Sequence, residues 1–181
     1  ILVGSYVTHG FTRTTTAAML GMLLTVVFSA ILSYIAVHAA SLSGYESDES
    51  AYLNLGIAGG IDLVVLLLSG IVIGLLGVLY DVAIGQAVAV EELFRAKSDA
   101  TDWYVFSRAM RIGREHIGAL INTLAIAYVG ASLPLLLLAQ YTDLSLLTML
   151  NTERFATEII RICVGSIGIV LAVPISTVIA L

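Results

Sequence analysis

Residues 63–80 carry no Asp, Glu, Lys or Arg, and nearly every side chain in the run is aliphatic or glycine. At 1.5 Å per residue such a run makes about 27 Å of helix, close to the thickness of a bilayer's hydrocarbon core. The apolar stretch continues to residue 90, interrupted by one charge, Asp81. Three more stretches have the same character, at about 15–40, 117–139 and 155–181. Of the whole chain, 59% is hydrophobic and 12% charged. A soluble domain has roughly 45–50% apolar and about 25% charged residues. The chain has too little charge to cover a water-facing surface, so most of its surface faces lipid. That excludes a soluble enzyme and a disordered linker. The net charge of −5 argues against a nucleic-acid partner.

Only helices and closed barrels satisfy backbone hydrogen bonds within lipid, and runs of this length are helical. The expected fold is therefore all-α: one transmembrane domain over 1–181, a polytopic bundle with four complete spans. Residues 1–10 are too short to span and read as the end of a preceding, truncated helix. The opening Ile1-Leu2-Val3 and the apolar finish at Leu181 read as an internal piece of a longer protein. Nothing at the N-terminus has the layout of a signal peptide. The expected partners are the lipid bilayer and, left open, a homo-oligomer or other membrane subunits.

The connecting segments differ in charge. Residues 41–54 are acidic, with no Lys or Arg, and residues 140–153 carry only Asp143 and Glu153. Residues 91–115 hold Arg95, Lys97, Arg108, Arg111 and Arg114, and Arg13 precedes the first span. Lys and Arg concentrate on the cytoplasmic side of membrane proteins. The expected topology puts Arg13 and the 91–115 loop in the cytoplasm of a bacterial inner membrane. The 41–54 and 140–153 loops then lie outside. Within the basic loop, Thr101-Asp102 can cap a helix, and Trp103, Phe106, Met110 and Gly113 recur at helical spacing. Arg108, Arg111 and Arg114 take another face. Residues 102–114 thus read as an interfacial amphipathic helix, which either connects two spans or docks a partner.

Glycines at 56/60 and 70/74 stand four apart, and Gly77, Gly85, Gly165 and Gly168 add to the small-residue surface. Such residues let helices approach closely in lipid. Close packing within the chain is the plainer account of them than dimerisation.

A charge inside hydrocarbon costs roughly 2.5–3.5 kcal/mol on insertion scales, so each one needs a reason. Asp62, Glu158 and Arg161 fall near one end of their spans. Glu158 and Arg161 are three apart and share a helix face, which predicts an intramembrane ion pair, with Asp62 as a further partner across helices. A transport path is the alternative. Asp81 lies deeper, and no basic residue within four positions can pair with it on its own helix. Gln86, Asn122 and Thr123 are expected at similar depth. A carboxylate in such a place can load and release protons, which makes Asp81, with Gln86, Asn122 and Thr123 beside it, the candidate coupling site. A structural Asp hydrogen-bonded to Asn122 and Thr123 is the alternative. His9, His38 and His116 do not stand at metal-ligand spacings, and Cys163 has no partner thiol. No nucleophile elbow or phosphate loop is present. Catalysis, a metal and a cofactor are all unexpected.

Several segments carry a resemblance. His9-Gly10-Phe11-Thr12-Arg13-Thr14-Thr15, the run from Gly70 to Leu93 around Asp81-Val82, Gly113-Arg114-Glu115-His116, Asn122-Thr123-Leu124, Gly130-Ala131-Ser132-Leu133-Pro134 and Gly165-Ser166-Ile167-Gly168 resemble, in order, the motifs of the YibE/F family. Glu115 stands where that family's pattern has Asp. The resemblance implies a multi-spanning bacterial membrane protein and puts Asp81, Asn122, Thr123, Glu158, Arg161 and Pro174 in motifs, without giving them a chemistry. The element order also resembles, more distantly, the membrane half of SecDF and related RND-type proton-driven exporters. Two functions follow as expectations. One is a transporter or exporter module, proton-coupled through Asp81. The other is a non-transporting scaffold or permease-like subunit of a larger complex.

Overall fold

The computed structural model describes residues 1–46, 48–56, 60–141 and 145–181. They form helices α1 (Leu2–His9), α2 (Arg13–Ala39), α3 (Asp48–Gly56), α4 (Leu63–Ala96), α5 (Asp102–Ala131), α6 (Leu133–Gln140), α7 (Leu146–Leu150) and α8 (Glu153–Ala180). No strand occurs among the described residues. Three helices, α2, α4 and α8, are long and apolar enough to cross a membrane. With 34 residues, α4 is roughly 51 Å long and outreaches a hydrocarbon core of about 30 Å.

Local sequence sets the helix starts. Thr12 Oγ1 accepts the Thr15 N–H at 3.1 Å, and Thr101 Oγ1 accepts that of Tyr104 at 3.4 Å. Asp62 Oδ1 accepts the Val64 and Val65 N–H groups at 3.0 and 3.1 Å. Each cap takes up donors that a first helical turn leaves without partners.

The core is the mutual packing of α2, α4 and α8. From α4, Leu67, Ile71, Leu75 and Leu79 are buried at a spacing of four. The α2–α8 seam is small and hydroxyl-rich instead. A Cβ on Gly21 would lie 3.0 Å from Ser176 Cα, and one on Gly168 would lie 2.8 Å from Ser29 Oγ. The buried Thr25, Ser33 and Thr177 hydroxyls donate back to Gly21, Ser29 and Val173 carbonyls at 2.7–2.8 Å. Hydroxyls turned back onto their own helices leave close van der Waals packing to hold this seam. Helix α5 packs on α4 and α8, burying Val105, Ala109 and Gly113.

Several sequence expectations need correction. Residues 102–114 do not end before a separate span; α5 runs unbroken from Asp102 to Ala131. Nothing between Gly113 and Ile117 stops a helix. The break comes later, at Ser132, two residues before Pro134, which has no N–H to bond the Gly130 carbonyl. The run 117–139 is thereby divided between α5 and α6, and α5 is not among the three helices with spanning character. Most of α3 falls in the 41–54 segment, and 140–153 contains α7; Asp143 lies outside the described residues. Gly56 ends α3 while Gly60, at φ +70°, precedes α4, so that pair does not share a helix.

Candidate functional site

Asp81 is exposed on the side of α4 turned away from the core. Positions 70, 74, 77, 81 and 85 follow one another by three or four residues and therefore share a face. Gly70, Gly74, Gly77 and Gly85 have nothing within 4 Å of a Cβ built on them. The result is a smooth, unpartnered strip along α4 with one carboxylate in it.

The residues expected around Asp81 are not gathered there. Five residues along a helix is a turn of about 140° from the starting face. Gln86 accordingly points into the bundle, 4% exposed, and its Nε2 donates to the Ala109 carbonyl and to Thr177 Oγ1, both at 2.8 Å. It ties α4, α5 and α8 together. Asn122 and Thr123 are exposed on α5, and the Thr123 hydroxyl donates to its own Ala119 carbonyl at 2.9 Å. Among the described residues no hydrogen bond joins Gln86, Asn122 or Thr123 to Asp81.

Replacing Gln86 by leucine tests its tie. The expected loss is about 0.6–1.7 kcal/mol of bundle stability, the range of interhelical hydrogen bonds in lipid. Unfolding by SDS in mixed micelles measures it. An unchanged midpoint would show that the two bonds carry no net stability.

The second charged group lies at the end of the bundle that bears Glu46. Arg161 Nη1 donates to Glu158 Oε1 at 2.7 Å, the pairing expected from their spacing. Its Nη2 also stands 3.5 Å from Glu46 Oε2. Arg154 Nε donates to the Glu46 carbonyl at 2.8 Å. The Glu153 carboxylate accepts the Ser43 N–H and hydroxyl, both at 2.7 Å, and the Gly44 N–H at 2.5 Å. The first turns of α8 thus grip residues 43–46. Asp62, expected among these charges, caps α4 instead. Sequence reasoning missed Glu46, Ser43 and Glu153. The signal was an acidic segment lacking any basic residue of its own while Arg154 and Arg161 stood elsewhere.

Burial pushes the Glu46 carboxyl above its usual 4.5; the nearby Arg161 works against this and Glu158 with it. The docked segment therefore holds a proton more readily than the undocked one. That contribution favours docking fully below pH 4.5 and is lost as pH rises through the raised value. Beside these residues lies a cleft of about 470 Å³, lined by Glu46, Glu49, Arg154, Glu158, Ser132 and Pro134 among others. The break between α5 and α6 forms one wall of it.

At the opposite end, a cavity of about 640 Å³ brings together Arg13, Thr14, Glu91, Phe94 and Arg95. The Thr14 hydroxyl and Arg95 both bond Glu91, and Arg95 reaches Glu92 at 3.2 Å. The Arg95 side chain is 67% exposed, so these pairs add little stability. Lys97 and Arg108 lie over the Tyr104 ring at 4.8 and 5.4 Å. Among the described residues no three His, Cys, Asp or Glu side chains converge into a metal-sized group.

No curated protein and no solved structure matches the chain significantly. The profile of the YibE/F-like protein family matches residues 1–181. That match and the three helices long and apolar enough to cross a membrane together indicate a membrane protein. The chain belongs to the YibE/F-like family.

Proposed function

We propose that the chain is the membrane module of a transporter or exporter, proton-coupled through Asp81, whose working surface is the exposed face of α4. The observation that supports this is a carboxylate at residue 81 within an otherwise uncharged stretch, on a strip of glycines open to an approaching helix. A bare carboxylate facing lipid would cost roughly 2.5–3.5 kcal/mol. A helix packed on the glycine strip would remove that exposure. Coupling then belongs to an interface and not to the interior of the α2–α4–α8 core. In this reading Arg13 and residues 91–115 face the bacterial cytoplasm, and residues 41–54 and 140–153 face outward. The shared cavity of Arg13, Glu91 and Arg95 supports putting those segments at one end.

Asp81→Asn tests the proposal, because it keeps the shape and removes the titrating group. In proteoliposomes with a pH-sensitive dye inside, the variant is expected to lose protein-dependent proton flux while inserting and folding like the parent. Undiminished flux sinks the reading. A second reading, a non-transporting scaffold or permease-like subunit, draws support from the close-packed α2–α8 seam, which leaves no path between those helices. It predicts no proton flux in the parent and an indifferent Asp81→Asn.

A further inference from the structure

The outer face of α5 carries cations that the fold leaves without carboxylates. Among the described residues, Arg95 and Arg161 stand in ion pairs, whereas Lys97, Arg108, Arg111 and Arg114 stand in none. Arg111 and Arg114, both exposed, line a groove of about 570 Å³ together with Ser107. Phe106 and Met110 form its apolar side, and Glu115 offsets one of the two positive charges. The depth of the groove follows from packing. Gly113 lies against Val173 and Gln86, and Gln86 stands about 36 Å along α4 from the Asp62 cap. With that cap at one boundary of a hydrocarbon core about 30 Å thick, Arg111 and Arg114 reach the other boundary, where headgroups begin. Ser107, Arg111, Arg114, Gly118, Ile121 and Ala125 follow one another by three or four residues and share one face of α5. Past Arg114 that row holds no polar side chain, and a Cβ on Gly118 would meet nothing within 4 Å. The face is thus cationic at the boundary and smooth and apolar toward the membrane interior.

We propose that this groove binds one anionic phospholipid, its phosphate held by Arg111, Arg114 and Ser107 and its acyl chains lying on the apolar row that begins at Gly118. Two guanidinium groups a turn apart can each take phosphate oxygens through paired N–H donors, and the hydroxyl adds a further donor. A lipid matches both halves of the face. An acidic protein segment or free phosphate would leave Phe106, Met110 and the row beyond Gly118 without an apolar partner. Zwitterionic lipid also brings a phosphate, but its own cationic group is repelled by the arginine pair, so the site selects net negative charge. The site uses neither Asp81 nor Glu46, and it can fail without the proton-coupling proposal failing.

The test reads lipid contact at one place on the face. Trp103 is the chain's only tryptophan. Trp103→Phe removes it, and Gly118→Trp puts a reporter one turn beyond Arg114, where there is room for it. This reporter protein is reconstituted in mixed phosphatidylcholine and phosphatidylglycerol vesicles with bromine on the acyl chains of one lipid or the other. Bromine quenches a tryptophan only at close range, so the two mixtures give the preference of the site for the anionic lipid. The expected preference is about fivefold, the effect of one net positive charge at a membrane surface. Arg111→Gln with Arg114→Gln is expected to abolish it. Arg13→Gln, at the same end of the bundle but on α2, is expected to keep it. Inorganic phosphate, set against sodium chloride at equal ionic strength, is expected to leave it unchanged. Any preference above about twofold that falls in the double variant, survives Arg13→Gln and resists phosphate supports the site. A preference below that, one that persists in the double variant, or one that Arg13→Gln removes equally, overturns it. A preference that phosphate alone collapses assigns the groove to the free anion and also overturns the lipid. Should the double variant fail to fold, Arg111→Gln and Arg114→Gln taken singly decide by the same criterion.

Discussion

Replacing Gly21 by leucine is expected to break the bundle, and replacing Gly70 by leucine is expected to leave it intact. Both are helical glycines in long apolar helices, so composition and propensity predict similar outcomes for the two. The structure separates them. A Cβ at position 21 would sit 2.7 Å from Ser176 Oγ and 3.0 Å from Ser176 Cα. The hydroxyl can rotate; the backbone carbon cannot. Helices α2 and α8 must then part, and the same movement opens the Ser29–Gly168 contact two turns along the seam. Overpacking a core typically costs about 1–3 kcal/mol, and a clash with backbone lies at or above the upper end. In lipid, little hydrophobic force pulls two parted helices together again, because the tails solvate them equally well. The expected result is a Gly21→Leu protein that aggregates on extraction or melts well below the parent in detergent. Gly70→Leu has nothing within 4 Å to strike and keeps the parent's melting temperature and monodispersity. Equal behaviour of the two variants refutes the packing of α2 on α8. If Gly70→Leu folds normally yet loses the proton flux proposed above, the α4 strip serves function and not the chain's own fold.

The contrast between those glycines also shows what the sequence reveals and what it hides. The spanning-type helices were legible because lipid leaves the backbone no alternative to internal hydrogen bonding. The three-residue spacing that joins Glu158 to Arg161 was legible because residues three apart on a helix share a face. Which face of α4 turns inward was not. In water, polarity marks the outside of a helix; in lipid, both faces are apolar, and glycine is the usual sign of a contact. Here α4 packs internally through Leu67, Ile71, Leu75 and Leu79 and leaves its glycines bare. Asp81 goes with the glycines, and Gln86, about 140° away, goes with the leucines. The reach of Glu153 to Ser43 spans 110 residues, and no local pattern encodes it. The division of the third apolar run, by contrast, was written in Pro134, and hydropathy outweighed it.

Gly113→Leu is expected to detach α5 while leaving α2, α4 and α8 together. A Cβ at position 113 would lie 2.4 Å from Val173 Cγ1 and about 3.0–3.2 Å from the Gln86 amide atoms. Val173 is buried, and Gln86 is held by its bonds to Ala109 and Thr177. Neither can yield without cost to the junction of α4, α5 and α8. The larger side chain also drives Ala109 away from Gln86 and strands a buried amide, which costs about 1–3 kcal/mol beyond the steric term. The three-helix core has its own contacts, and of its buried members Val173 takes the nearest approach of this Cβ, so the damage centres on the α5 side. Two measurements separate detachment from global unfolding. Protease cleavage in residues 97–101, between α4 and α5, should rise steeply. In a Cys163→Ser background, maleimide labelling of Ser29→Cys, buried in the α2–α8 seam, should stay as slow as in a matched glycine-113 protein. Fast labelling together with cleavage would mean that α5 is integral to the core. Slow labelling with no added cleavage would mean that the close approach at Gly113 does not hold α5 in place.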